Sequence, residues 1–106
     1  MREFETGATR DTVNNKQQYT GYLSPRVLKS FGKYMLKHQQ LPDGTFRDSN
    51  NWKKGIPQEV YLDSLLRHFI NLWEGVESKS LTSEEIEDLS CAILFNIQGF
   101  LHEELI

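Results

Sequence analysis

The chain has 106 residues, enough for a single domain with one modest core. Hydrophobic residues make up 38% and charged residues 25%, as in ordinary globular proteins, and a net charge of -3 without a basic block argues against a protein that binds long nucleic acids. The apolar runs are too short to cross a bilayer, and the N-terminus lacks a signal-peptide h-region. A single cysteine excludes an internal disulfide. We therefore expect one domain over 1–106, without a membrane partner, in the cytoplasm.

Residues 1–24 are polar and have no usable hydrophobic period. We expect an arm that is irregular, or ordered against a helical core over 25–106. At Ser24-Pro25 the core begins, because serine is a good N-cap and proline suits the first helical position. Apolar residues at helical spacing then predict a first helix to about His38: Val27, Leu28, Phe31, Tyr34 and Met35.

A long loop follows over residues 40–57, and in so small a domain such a loop is usually functional or disordered. Pro42-Asp43-Gly44 predicts a turn, since proline presets φ and glycine tolerates positive φ. Trp52 favours an ordered loop, because a large aromatic side chain gains most by packing.

The second predicted helix begins near Pro57 and ends near Gly75, a residue suited to a C-cap. Its apolar residues form two adjacent stripes, the first of Tyr61, Leu65, His68 and Leu72, the second of Leu62, Leu66, Phe69 and Trp73. Two such stripes predict a central, well-buried helix. The opposite side carries Asp63, Arg67 and Glu74.

The third predicted helix opens at Thr82, at capping-box spacing from Glu85, and runs to about Glu103. Its broad apolar face consists of Ile86, Leu89, Ile93, Leu94, Ile97, Phe100 and Leu101. Together the elements predict an all-α fold: a small bundle of about three main helices with an irregular N-terminal arm and a long ordered loop, completed by oligomerisation.

Polar residues on one side of the third helix are the most informative: Glu85, Asp88 and Asn96, with the small Ala92 and Gly99 between and beyond them. Two carboxylates three residues apart can share a hard cation, which takes oxygen ligands. The alternative for acids in a first turn is to cap N–H groups and complement the helix dipole. Asn96 requires a partner in protein or ligand, since an unpaired buried amide costs ~1–3 kcal/mol.

The second helix contributes Asp63, Arg67 and His68. Asp63 can help hold a metal ion while Arg67 binds phosphate through its fork geometry, or the two can form a plain surface pair. His68 lies at the edge of the apolar stripe, so a hydrogen-bonded core histidine is the alternative to a catalytic one.

In the loop, Asn51, Trp52 and Lys54 combine a base-stacking aromatic ring with a cation. The alternative for Trp52 is a hydrophobic plug under the loop. Cys91 falls on a largely apolar part of its helix and is expected to be inert core.

Taken in order, these segments resemble the dATP/dGTP diphosphohydrolase N-terminal family, common in phage genomes, which belongs to the MazG-like, all-α nucleoside triphosphate pyrophosphohydrolases. The most specific string is Asn51–Pro57, followed by Arg67-His68. The other matching segments are Gly7–Asp11, Lys16, Tyr19, Leu23–Pro25, Tyr61–Ser64, Leu66, Glu74 and Glu87–Asn96. The resemblance covers the chain from residue 7 to about residue 103.

The resemblance implies a helical homo-oligomer, in the host cytoplasm if the chain is phage-encoded, that uses Mg²⁺ to cleave a dATP- or dGTP-like nucleotide to monophosphate and pyrophosphate. The superfamily carries metal on two acidic pairs. Glu85 and Asp88 match the second pair, Glu-x-x-Asp, whereas Glu59 and Asp63 are four apart and do not match the first, Glu-x-x-Glu. We therefore expect Mg²⁺ on Glu85 and Asp88, assisted by Asp63.

In such a mechanism Arg67 and Lys54 neutralise charge on the leaving pyrophosphate. His68 or Glu87 accepts the proton of the attacking water. The expected catalytic residues are Asp63, Arg67, His68 and Glu87, and the expected nucleotide-binding residues are Asn51, Trp52, Lys54, Arg67 and Asn96. Two alternatives stay open: a non-catalytic protein that binds or sequesters a nucleotide or nucleotide signal, and a protein–protein adaptor that associates through an apolar helix face.

Overall fold

The computed structural model describes residues 2–11 and 15–106 and is mostly helical, which confirms the all-α class. Its helices are α1 (Tyr19–Tyr22), α2 (Pro25–Gln39), α3 (Gln58–Ser78) and α4 (Ser83–Leu105). Met1 and residues 12–14, which belong to the predicted arm, lie outside the described residues.

The described part of the arm contains more local order than the sequence predicts. Strands β1 (Arg2–Glu3) and β2 (Thr9–Arg10) pair antiparallel, and α1 adds one helical turn. Every described residue before Ser30 is nevertheless exposed. The arm therefore adds almost nothing to the core.

The boundaries of α2 and α4 follow from their caps. The Ser24 hydroxyl accepts the Val27 N–H at 3.3 Å, and Pro25 occupies the first helical position, as predicted. At the start of α4 the Thr82 hydroxyl accepts the Glu85 N–H at 3.1 Å, while the Glu85 carboxylate accepts the Thr82 N–H at 2.9 Å. This reciprocal arrangement satisfies two N–H groups that have no partner inside the helix.

The loop before α3 is ordered by a turn and by a 3₁₀ turn at Asn51–Lys54. Asp43 accepts the backbone N–H and the hydroxyl of Thr45 at 3.0 and 2.6 Å, and Gly44 has φ of +88°. These hydrogen bonds lower the pKa of the Asp43 carboxyl, the one from the Thr45 hydroxyl most strongly. The turn that the Pro-Asp-Gly sequence predicts is thus confirmed.

An antiparallel hairpin of α3 and α4 forms the centre of the molecule, and α2 packs on α4. Tyr61 of α3 is 2% exposed and lies against Gly99 of α4, where an added Cβ would come within 2.8 Å of ring carbon Cδ1 and closer still to Cε1 and Cζ. Cys91 and Ala92 are the other buried apolar residues of the described chain. Glycine at position 99 is therefore what allows the tyrosine ring between the two helices.

The predicted C-cap at Gly75 is wrong. α3 continues to Ser78 and ends at Lys79, which adopts the left-handed conformation and donates its N–H to the carbonyls of Gly75 and Val76. Gly75 is instead buried inside the helix, where the Leu81 side chain occupies the space that a Cβ would need. Close packing, rather than backbone conformation, requires glycine there.

The expectation that both apolar stripes of α3 are buried is also wrong. The first stripe faces α4, but Leu62, Leu66, Phe69 and Trp73 of the second are between 45% and 59% exposed. The reason is that α2 packs on α4 and not on α3, so no described element covers the second stripe.

Candidate functional site in the groove between α2 and α4

Two neighbouring clefts lie in the groove where α2 meets α4 and the loop before α3, and Tyr34 of α2 lines both. The first, here called the aromatic cleft, has a volume of about 350 Å³ and is lined by Tyr34, His38, Arg47, Asn51, Trp52 and Phe95, among others. The second, here called the charged cleft, has a volume of about 310 Å³ and is lined by Ser30, Lys33, Tyr34, Lys37, Glu84, Glu87, Asp88 and Cys91. Their volumes are at the lower end of the range for small-molecule sites.

Edge-to-face packing positions the aromatic residues of the aromatic cleft. The Trp52 ring centroid lies 6.2 Å from that of Phe95 and 4.9 Å from that of His102, both in T-shaped geometry. On the α2 side of the cleft, the ring centroids of Tyr34 and His38 are 4.3 Å apart. Trp52 is half-buried, so it both packs under the loop and contributes to the cleft wall.

Hydrogen bonds between α2 and α4 organise the charged cleft. Lys37 Nζ donates to Asp88 Oδ1 at 2.6 Å, and Ser30 Oγ donates to Glu87 Oε1 at 2.7 Å. The Lys37 and Asp88 side chains are 62% and 49% exposed, so their ion pair contributes little to stability and can rearrange. Burial, and next the charge of Asp88, raises the pKa of the Tyr34 hydroxyl, which therefore remains a neutral donor.

The structure brings together four of the predicted site residues in this groove. Asn51 and Trp52 line the aromatic cleft, and Glu87 and Asp88 line the charged cleft. Predicted residues from two segments of the chain, the loop and α4, thus converge on the same side of α2.

The predicted residues of α3 do not reach the groove. Asp63 and Arg67 are exposed, no ion pair joins them, and neither lines either cleft; within the described ranges the ion pairs are Lys16–Asp11 and Lys37–Asp88. His68 is half-buried on the same helix and also lines neither cleft, and Lys54 is exposed at the end of the 3₁₀ turn in the loop and lines neither cleft. A role for these four residues in the same site therefore stays a prediction.

Two other predicted residues of α4, Glu85 and Asn96, have their hydrogen-bond partners in α4 itself or at its N-cap. Glu85 forms the capping box with Thr82, and the hydrogen bond from the Thr82 N–H lowers the pKa of its carboxyl. Asn96 is buried and its Nδ2 donates to the Ala92 carbonyl at 2.7 Å, one turn back along α4. Capping explains Glu85 without a ligand, and part of the hydrogen-bonding capacity of Asn96 is met within its own helix.

The residues predicted to hold Mg²⁺ do not form a common site in the single chain. Glu85 points into the capping box, Asp88 is paired with Lys37, and Asp63 is exposed on α3. Over residues 2–11 and 15–106, no three His, Cys, Asp or Glu side chains are grouped so that they could hold a metal ion. The predicted set thus does not fit a metal ion held by the single chain.

Sequence reasoning missed the α2 side of the groove, namely Tyr34, Lys33 and Lys37. The signal was present, since two lysines one turn apart flank a tyrosine on α2. On α4, Glu87 and Asp88 follow Glu84 by three and four residues, so the three acidic side chains share a face of the helix. Glu84, rather than the predicted Glu85, lines the charged cleft.

Comparison of the chain with family models, with curated proteins and with solved structures finds no match. No helix in the described part of the chain has the length and apolar character needed to span a membrane. A proposal about function therefore depends on the groove and its residues.

Proposed function

We propose that the chain binds a purine nucleoside triphosphate, dATP- or dGTP-like, in the groove between α2 and α4 and hydrolyses it to monophosphate and pyrophosphate. The observation that carries the proposal is that Tyr34 lines both clefts, so that an aromatic surface and a pair of lysines lie next to each other along α2. A nucleotide needs both, because its base stacks on aromatic rings and its phosphates require cations.

The aromatic cleft suits the base and the sugar. Trp52 and Tyr34 offer ring surfaces for stacking, and Asn51 can donate to and accept from the edge of a base. Arg47 lies on the same wall and can pair with a phosphate through two N–H groups.

The charged cleft suits the phosphates together with their own cation. Lys33 and Lys37 supply positive charge, but Glu84, Glu87 and Asp88 outnumber them, so a bare triphosphate would be repelled. A triphosphate that arrives as its Mg²⁺ complex carries less negative charge and offers the carboxylates a partner. Mg²⁺ is therefore proposed as part of the substrate, and Glu87 is the nearby carboxylate suited to accept the proton of an attacking water.

A non-catalytic nucleotide-binding protein is the second candidate, and the Lys37–Asp88 ion pair favours it. As long as Lys37 is paired with Asp88, the Asp88 carboxylate is not available to Mg²⁺, whereas Lys37 can still contact a phosphate. Such a protein would bind or sequester a nucleotide without turnover.

Calorimetric titration with Mg·dATP and Mg·dGTP tests binding in the groove. We expect Lys33→Gln and Lys37→Gln each to weaken binding about tenfold, or about 1.4 kcal/mol, because each removes one cation from the phosphates. Lys29→Gln is the matched control on α2, since Lys29 is exposed and lines neither cleft. Equal affinity of all three variants and the wild type, or no binding by the wild type, would refute the proposed site.

Pyrophosphate release separates the two candidates, with Asp88→Asn as the diagnostic variant. A hydrolase releases pyrophosphate from at least one of the two triphosphates, and loses most of its turnover when Asp88 becomes neutral. A non-catalytic protein shows no turnover, and binds nucleotide more tightly in Asp88→Asn because Lys37 is released to the phosphates. Turnover that is unchanged in Asp88→Asn would contradict the phosphate position given above.

The functional unit is proposed to be a homo-oligomer, as the resemblance implies. The exposed apolar side chains of α3 and α4 support that form, since a single chain leaves them in water.

A further inference from the structure

One wall of the aromatic cleft carries a carboxylate, that of Asp48, which the nucleotide position proposed above leaves without a role. Within the described ranges no ion pair involves Asp48, although Arg47 precedes it on the same wall. A carboxylate beside the phosphates would repel them and weaken binding. We therefore expect Asp48 to face the one part of a nucleotide that carries N–H donors, which is the base.

Hydrogen bonds fix the backbone and carboxylate of Asp48 relative to the turn that carries Trp52. Asp48 Oδ1 accepts the Asn50 N–H at 2.8 Å, and the Asp48 carbonyl accepts the Asn51 N–H at 3.0 Å. The 3₁₀ turn that contains Trp52 begins at the second of these two donors. A carboxylate offers about four lone-pair sites, so the bond from Asn50 leaves most of them free for a ligand. The Asp48 carboxylate is thus an oriented acceptor on the wall of a cleft that also offers an aromatic ring surface.

The four DNA bases differ in what they offer to a fixed carboxylate, which when ionised only accepts hydrogen bonds. Guanine presents two adjacent donor groups, N1–H and the 2-amino group, and can donate both to one carboxylate. Adenine presents the lone pair of its N1 atom at the same place, and neither pyrimidine has two donor groups side by side. Asn51 does not discriminate between the purines, since its amide can turn to present either the oxygen or the nitrogen.

We infer that the Asp48 carboxylate selects guanine, so that the ligand of the groove is a guanine nucleotide, dGTP-like, and not an adenine nucleotide. The inference rests on the proposed function, because it takes a base to lie in the aromatic cleft. Asp48 accepts the N1–H and 2-amino groups of the base, while Trp52 and Tyr34 offer the ring surfaces for stacking.

Calorimetric titration of the wild-type chain with three triphosphates tests the selection: Mg·dGTP, Mg·dATP and Mg·dITP, whose base keeps N1–H but lacks the 2-amino group. We expect dATP to bind about tenfold to a hundredfold more weakly than dGTP, with dITP between them, because that is the range for one bidentate pair. Equal affinity for dGTP and dATP, or tighter binding of dATP, would overturn the inference and leave the proposed function standing. Absence of binding by all three would refute the proposed function, and the inference with it.

Asp48→Asn tests the residue itself. The variant keeps the oxygen that accepts the Asn50 N–H but replaces the second carboxylate oxygen with an amide donor. We expect it to bind Mg·dGTP about tenfold more weakly than the wild type and to gain affinity for Mg·dXTP, whose base has a carbonyl oxygen in place of the 2-amino group. An Asp48→Asn variant with the base preference of the wild type would overturn the inference.

Asp43→Asn is the matched control for this substitution. Asp43 lies in the same loop and accepts the backbone N–H of Thr45, two residues on, just as Asp48 accepts that of Asn50. It lines neither cleft, so Asp43→Asn should keep the wild-type order of affinities and should not gain affinity for Mg·dXTP. A gain for Mg·dXTP that is equal in both variants would overturn the role of Asp48. If Asp48→Asn does not fold, the three triphosphates compared on the wild-type chain decide the question by themselves.

Discussion

Gly99→Ala tests the contact that holds α3 against α4. In an exposed helix interior this substitution would stabilise the protein by about 1 kcal/mol, because alanine has the higher helix propensity. At position 99, however, the added Cβ would lie within 2.8 Å of Tyr61 Cδ1 and closer to two other ring atoms. The ring cannot move freely, since it is 2% exposed and packs edge-on against Phe95, with centroids 5.9 Å apart. Overpacking of this kind costs about 1–3 kcal/mol, and here we expect the upper end.

The expected net effect of Gly99→Ala is destabilisation by about 2 kcal/mol, a fall of roughly 10 °C in Tm. Urea unfolding followed by far-UV circular dichroism, at a fixed protein concentration, measures it. Gly32→Ala is the matched control: Gly32 is inside α2, is exposed, and has no atom within 4 Å of an added Cβ. It should gain about 1 kcal/mol. If both substitutions stabilise the protein, Tyr61 does not lie against Gly99 and the described packing of α3 on α4 is wrong.

Three further predictions follow from buried and capping groups. The Tyr61 hydroxyl is buried without a hydrogen-bond partner among the described residues, so Tyr61→Phe should raise the free energy of unfolding by about 1 kcal/mol; a loss of stability would show that the hydroxyl has a partner. The capping hydrogen bonds lower the pKa of the Glu85 carboxyl, so its contribution to stability is present above the pKa of unfolded glutamate and is lost as the pH falls through the folded pKa. When thermal unfolding is followed from pH 7 to pH 3, the part of the pH dependence that is due to Glu85 should be absent in Glu85→Gln. A pH profile of Tm that is the same in the variant and the wild type would contradict this prediction. Cys91 is 3% exposed, so a thiol reagent should modify it only on unfolding, and rapid modification of the native protein would refute its burial.

Local features of the sequence predicted the helices well, because caps and hydrophobic period act within a few residues. Ser24-Pro25 begins α2 and Thr82 with Glu85 begins α4 as expected, since each cap is complete within four residues. The prediction of a C-cap at Gly75 is wrong because the role of this glycine depends on Leu81, whose side chain packs against it after the turn. A glycine that is required by packing and one that is required by conformation look the same in a sequence.

The candidate site is less predictable than the helices themselves. Helical periodicity assigns residues to one side of a helix, but it does not say which other helix packs against that side. It places Glu85, Asp88 and Asn96 on one side of α4, yet the partner of Asp88 is Lys37 of α2, fifty-one positions away. The second stripe of α3 illustrates the same limit. Its hydrophobic spacing is evident in the sequence, but the described chain does not bury it.

The indole N–H resonances of the two tryptophans test the central claim most directly, that a nucleotide occupies the groove between α2 and α4. Trp52 lines the aromatic cleft, whereas Trp73 lies on the exposed second apolar stripe of α3 and lines neither cleft, so each serves as the reference for the other. Titration of ¹⁵N-labelled protein with Mg·dATP or Mg·dGTP should shift the Trp52 resonance progressively to saturation and leave that of Trp73 in place. A Trp52 resonance that does not move at millimolar nucleotide, or a shift confined to Trp73, would contradict the account.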